Sequence, residues 1–168
     1  MNSPDALRGI ERLRDACGAT CLCGAGTVVT REQVEDVHRA GASLVVSPNT
    51  DPRVIGRALE LGLEVLPGFA TPTEAFTALA AGARHLKLFP ASTYATAHYR
   101  ALRAVLPPET RIYAVGGIGL RTLAEWVRAG IDGLAIGTDL FEPGRAPAEI
   151  GERAASIVAA YQVSRGSS

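Results

Sequence analysis

The chain is poor in several things at once. It has one lysine, Lys87, against sixteen arginines, and its formal net charge is zero. Without a basic excess it is not suited to neutralising a phosphate backbone, which excludes an electrostatic nucleic-acid binder. Charged residues are only 20% and apolar residues 47%, which excludes a disordered chain held open by its own charge. No apolar run is long enough to span a bilayer, and "MNSPDALRGIERLR" at the start lacks the apolar core of a signal peptide. A soluble, cytoplasmic protein is expected. Cysteine is scarce and odd in number: Cys17, Cys21 and Cys23. The C-x-C pair lacks metal-site spacing and reads as two same-face strand residues in a reducing compartment. No set of histidines and carboxylates has metal-ligand spacing either, so no metal is expected.

Glycine, by contrast, is placed with regularity. "AGASLVVSP" (40–48), "LGLEVLPG" (61–68), "AGARHLKLFP" (81–90) and "AGIDGLAIGT" (129–138) each set a glycine before a short apolar run. A helix ending in glycine, then a strand, then a loop with Pro or Gly is the αβ half of a βα repeat. "ATCLCGAG" (19–26) and "RIYAVGG" (111–117) supply further strands. Six strands are expected, near 20–25, 43–47, 63–66, 85–89, 111–115 and 133–136, each followed by a helix. Thr30 to Gln33 and Thr71 to Glu74 have the spacing of capping boxes, the second with Pro72 at the first helical position. Ser3-Pro4 reads as the start of an N-terminal helix. A last helix is expected over about 147–161, with Ile150, Ala154, Ile157 and Tyr161 on one face.

Consecutive βα units imply parallel strands covered by helices in one α/β domain. No G-x-G-x-x-G opens a helix after the first strand, which removes support for a dinucleotide fold. Glycine-rich turns after the last two strands, "VGGIG" (115–119) and "IGTD" (136–139), favour a TIM (β/α)8 barrel, whose late loops commonly bind phosphate. With six βα units and an N-terminal helix, the 168 residues read as a single but incomplete barrel.

The lone lysine then stands out. In "LKLFP" (86–90), alternation puts His85, Lys87 and Phe89 on one face and two leucines on the other. The leucines suit the helix-facing side, so Lys87 points inward near the C-terminal end of its strand, where barrel active sites lie. A buried ammonium is costly, but a lysine can shed its proton and attack a carbonyl, which arginine cannot.

The motifs "GAGTV" (24–28), "SPN" (47–49), "LPG" (66–68), "ATPTEAFTAL" (70–79), "LKLFPAS" (86–92), "AVGGI" (114–118) and "IGTDL" (136–140) fall in order along the chain. Together they resemble the Schiff-base 2-keto-3-deoxy-6-phospho-sugar-acid aldolases, which include the gluconate enzyme of the Entner–Doudoroff pathway and its galactonate counterpart. The likeness is strongest to the galactonate branch, since gluconate enzymes carry threonine where Val115 stands. The resemblance implies a cofactor-free, homotrimeric lyase yielding pyruvate and glyceraldehyde 3-phosphate, with the choice between epimers open. It implies that Lys87 forms the imine, that Thr27, Pro48, Phe89 and Val115 line the substrate pocket, and that Gly116, Gly117, Gly137 and Thr138 hold the phosphate. It also implies that two strands, a helix and the family's proton-shuttling glutamate would precede Met1. A phosphate-ligand binder that keeps the lysine but lacks that glutamate is therefore the alternative.

Overall fold

Each of the six strand positions is occupied in the structure, a computed structural model that describes residues 1–166. In chain order the elements are α1 (Ala6–Cys17), β1 (Gly24–Gly26), α2 (Arg31–Arg39), β2 (Leu44–Val46), α3 (Pro52–Glu60), β3 (Glu64–Leu66), β4 (Gly68–Phe69), α4 (Pro72–Ala80) and β5 (His85–Leu88). Then follow α5 (Ala91–Arg103), β6 (Arg111–Val115), α6 (Leu123–Arg128), β7 (Gly133–Ala135) and α7 (Pro147–Gly166). β3 fills the third position, and β4 follows it as a separate short strand because Pro67, between them, has no N–H to give to a ladder. The chain divides into two compact units, Met1–Lys87 and the residues from Leu88 onward.

In the first unit β1, β2 and β3 form a parallel sheet in that order, with Ala25 opposite Val45 and Val45 opposite Val65. Val45, Val34, Val37, Val54, Ile55 and Ala58 are almost wholly buried, so the apolar faces of α2 and α3 supply this core. The helix starts follow local chemistry. The Thr71 side chain accepts from Glu74 N–H, and Glu74 returns the bond to Thr71 N–H, a complete capping box. At α2 the reciprocal bond shifts by one residue: Thr30 accepts from Gln33 N–H at 3.2 Å, but Gln33 Oε1 takes Val29 N–H at 2.8 Å. The glycines expected at the helix ends, Gly41, Gly62 and Gly82, all have positive φ (85°, 73° and 98°). That conformation costs a residue with a Cβ more than it costs glycine.

In the second unit β6 and β7 pair in parallel, with Ala114 opposite Leu134. Ile112, Ala114, Leu102, Leu123 and Trp126 are buried, and the Tyr99 hydroxyl donates to the Gly130 carbonyl at 2.7 Å, tying α5 to the end of α6. The last helix runs to Gly166, five residues beyond its expected end, and Ile157 is buried on the expected face.

Two sequence expectations are corrected. The first strand covers 24–26 rather than 20–25, so Cys21 and Cys23 are not strand residues; a 3-10 turn at Gly18–Thr20 precedes them. Strand β2, its partner, begins only at Leu44, and the Cys23 carbonyl takes both the N–H and the hydroxyl of Ser43 (2.7 and 3.1 Å). All three cysteines are free thiols. The N-terminal helix begins at Ala6, not at Ser3-Pro4, because Asp5 is left-handed (φ 50°) and offers no side-chain cap.

Candidate active site

Lys87 lies on β5 between Leu86 and Leu88, which are fully buried, and is itself only 8% exposed. Its backbone N–H donates to the Pro67 carbonyl at 2.8 Å, which anchors the residue at the β3–β4 break. Burial pushes the ammonium below the ordinary lysine range, so more of the amine is unprotonated than at a surface lysine. A lysine in this state is suited to nucleophilic attack on a carbonyl.

Two other residues expected at the keto-acid end lie in the same unit, both past the C-terminal ends of strands. Thr27 directly follows β1 and holds φ at 59°, an outlier for a β-branched residue. Its hydroxyl accepts from Asn2 Nδ2 at 3.3 Å. Strained backbone of this kind persists where the surroundings over-determine it, often at functional sites. Pro48 follows β2, and its carbonyl oxygen would stand 2.2 Å from a Cβ on Gly68. Only glycine at 68 allows the two backbones to approach this closely.

The remaining candidates belong to the second unit. β6 ends at Val115 and is followed by Gly116 (φ 94°) and Gly117 (φ 73°). The Phe89 ring packs over Gly116, 3.1 Å from where a Cβ would lie, so a side chain at 116 would displace it. The Gly116 carbonyl accepts from Ser92 N–H at 3.0 Å, and the Gly117 carbonyl from the Thr122 hydroxyl at 3.3 Å. In a trans peptide C=O and N–H point in opposite directions, so the amides of Gly117 and Ile118 face away from these partners. Gly117, Ile118 and Thr138 line one cavity of about 600 Å³, with Arg121, Arg145 and Arg153 also in its wall. Asp139 and Glu142 also line it, and Arg153 and Arg145 are paired with these two carboxylates at 2.6 and 2.9 Å, so the loop amides and the Thr138 hydroxyl are the groups left to meet an anion. Gly116 and Gly137 are next to the lining residues, and the Gly137 carbonyl accepts from Leu140 and Phe141 N–H (both 3.0 Å).

Comparison with known proteins adds what the geometry alone lacks. The model of the family "KDPG and KHG aldolase" matches residues 1–147. The chain belongs to this family. It is 44% identical over 96% of its length to the 2-dehydro-3-deoxy-6-phosphogalactonate aldolase of Escherichia coli K12, covering 79% of that relative. A solved structure described as native KDPGal superposes with a TM-score of 0.94 at 44% identity, over 97% of this chain and 79% of that one. A subunit of a designed cube-shaped protein cage, made by fusing symmetric oligomeric domains, superposes at 0.97 with 43% identity, over 99% of this chain and 62% of that one.

Membership of the KDPG and KHG aldolase family makes the chain one of a family of aldehyde lyases and gives its βα succession an α/β, TIM-barrel-like fold. Among the described residues no group of three or more His, Cys, Asp or Glu is arranged to hold a metal, and no helix is long and apolar enough to cross a membrane. Sequence reasoning missed Asp139, Arg145 and Arg153, which frame the cavity beside Thr138. Asp139 was within reach, since it sits inside "IGTDL". The two arginines had no local signal, because they meet the loop only through the fold.

Proposed function

We propose that this chain is a class I aldolase that cleaves 2-dehydro-3-deoxy-6-phosphogalactonate to pyruvate and glyceraldehyde 3-phosphate through an imine on Lys87. The observation that carries this reading is the one lysine of the chain, buried on β5 with its ammonium destabilised by that burial. The Lys87 amine adds to the C2 carbonyl, and loss of water leaves the imine. The protonated imine withdraws electrons more strongly than the ketone. As the C4 hydroxyl gives up its proton to the water expelled in imine formation, the C3–C4 bond breaks; its electron pair enters the enamine of pyruvate, and C4 departs as the aldehyde. Protonation at C3 and hydrolysis then release pyruvate and restore the amine. In this reading Thr27, Pro48 and Phe89 serve the keto-acid end of the substrate, and Val115 is a further substrate residue. The amides around Gly116 and Gly117, with Gly137 and Thr138, receive the phosphate.

The galactonate substrate is preferred because the relative at 44% identity carries that name. A symmetric homotrimer goes with this reading; support comes from the similar subunit of the cage built from symmetric oligomeric domains. Sedimentation equilibrium checks the trimer.

The test of function is borohydride trapping with pyruvate, followed by turnover with the galactonate and gluconate epimers. Wild type is expected to gain a reduced pyruvyl adduct at Lys87 and to turn over the galactonate epimer faster. Lys87→Arg keeps a cation but removes the usable amine, and is expected to lose the adduct. An adduct retained in that variant refutes the mechanism, and trapping without turnover of either epimer refutes the aldolase reading.

A further inference from the structure

The cavity shared by Gly117 and Thr138 is framed by ionic contacts that the imine chemistry leaves unused. Arg153 on α7 donates from Nη2 to Asp139 Oδ1 at 2.6 Å, and from Nε to the Asp139 carbonyl. Arg145 donates from Nη1 to the carbonyls of Asp139 (3.2 Å) and Leu140 (2.7 Å). Its other nitrogens face Glu142 at 2.9 Å and Glu149 at 3.4 Å, which orient it. The second carboxylate oxygen of Asp139 turns to the other glycine loop, where Leu120 N–H donates to Oδ2 at 3.4 Å. A Cβ on Gly119 would stand 2.4 Å from that carboxylate, so glycine at 119 is what lets the loop come so close.

Asp139 therefore touches three parts of the unit: the loop after β7 by its own backbone, the loop after β6 through Leu120, and α7 through Arg153. Two of these are the loops assigned to phosphate. The residue next to Asp139 is Thr138, one of that site's ligands, so a bare carboxylate here would repel a phosphate dianion. Arg153 cancels that charge while fixing its position. The Arg145 side chain is only 14% exposed, and those of Arg153 and Asp139 are about one-third exposed, so solvent screens these contacts less than it does a surface pair.

We infer that Asp139 and Arg153 form a positioning pair, braced by Arg145, that sets the spacing of the two phosphate-binding loops and neutralises the carboxylate beside them. The inference rests on the phosphate reading of this cavity. Neither residue touches the reacting carbons. Their effect is on where the phosphate, and with it the C3–C4 bond, is held. Misplacement of a substrate by about 1 Å can cost on the order of 10²-fold in rate.

The experiment uses the full chain and three variants: Arg153→Met, Arg153→Lys and Asp139→Asn. For each, KM and kcat are measured with the 6-phosphorylated 2-keto-3-deoxy sugar acid and with its unphosphorylated counterpart. Borohydride trapping with pyruvate and the melting temperature are recorded alongside. Arg153→Met is expected to lower kcat/KM for the phosphorylated substrate by about tenfold or more, within the range that misplacement of a bound group allows. Arg153→Lys keeps the charge and is expected to recover part of this. Values for the unphosphorylated substrate and for pyruvate trapping should stay within about twofold in both. If Arg153→Met does not fold, Asp139→Asn keeps the shape and one acceptor and makes the same comparison, with a smaller loss expected for the phosphorylated substrate alone. Equal losses for all ligands, or no loss for any, overturn the inference. A wild-type chain that does not prefer the phosphorylated substrate refutes the phosphate reading itself, an outcome visible before any variant is made.

Discussion

Replacing Lys87 with methionine separates what this residue does for chemistry from what it does to stability. Methionine has a similar length and volume, so the buried stem keeps its apolar contacts and the hydrophobic contribution nearly cancels. What remains is the ammonium of a residue that is only 8% exposed and flanked by two fully buried leucines. Removing a desolvated charge from such a site is expected to stabilise the fold by about 1–2 kcal/mol, in line with other substitutions at positions held for function. For a chain of this size that is a rise of roughly 2–8 °C in melting temperature. The pH dependence has a definite sign. Burial lowers the folded-state pKa of Lys87 below its unfolded value. Between the two values the unfolded chain binds more protons, so wild-type stability rises with pH there. Below the folded value the penalty is present in full. The advantage of Lys87→Met should therefore be largest at neutral pH and shrink as pH climbs toward the ordinary lysine range. Urea unfolding at pH 7 and near pH 10 measures both, and borohydride trapping with pyruvate should be abolished throughout. A variant less stable than wild type at neutral pH, or an advantage that does not shrink with pH, would refute the desolvated-amine account.

Gly68→Ala would place a Cβ 2.2 Å from the Pro48 carbonyl oxygen, a backbone atom, and is expected to cost about 2–3 kcal/mol, read as a melting temperature several degrees lower. Thr27→Gly removes a side chain held at φ 59° and is expected to leave stability unchanged within about 1 kcal/mol, since relief of strain offsets the added freedom of the unfolded chain. The same change should weaken pyruvate trapping, and a loss of stability well beyond that figure would show that the conformation is not strained. Glu74→Ala should cost about 1 kcal/mol at neutral pH by removing the acceptor of Ala70 N–H, Thr71 N–H and the Thr71 hydroxyl. Although burial opposes it, these bonds hold the Glu74 carboxyl below its usual range. The contribution is thus complete above the ordinary glutamate pKa and lost as pH falls through the lowered folded value, so wild type and variant should converge in acid.

The order of elements was legible in the sequence because its causes are local. A βα unit announces itself within about ten residues: a capping threonine, an apolar face, a glycine that can take positive φ, then a short apolar run. Thr71 with Glu74, and Gly41, Gly62 and Gly82, needed no knowledge of distant neighbours, and each has the local structure expected of it. The burial of Lys87 was legible for a similar reason, since a single lysine flanked by leucines in a short apolar run is an anomaly visible within five residues. The tertiary structure decided what depends on partners far along the chain. Cys21 and Cys23 lie outside the first strand because β2, the neighbour of β1, is three residues long, and nothing near the cysteines records that length. The left-handed Thr27 obeys no local preference and is held by its surroundings. Asp139 and Arg153 meet across fourteen residues, and Asp139 reaches Leu120 across nineteen. Such contacts exist only once β6, β7 and α7 have packed, because side chains that far apart in sequence are brought within hydrogen-bonding distance by the fold and not by the helical or strand repeat.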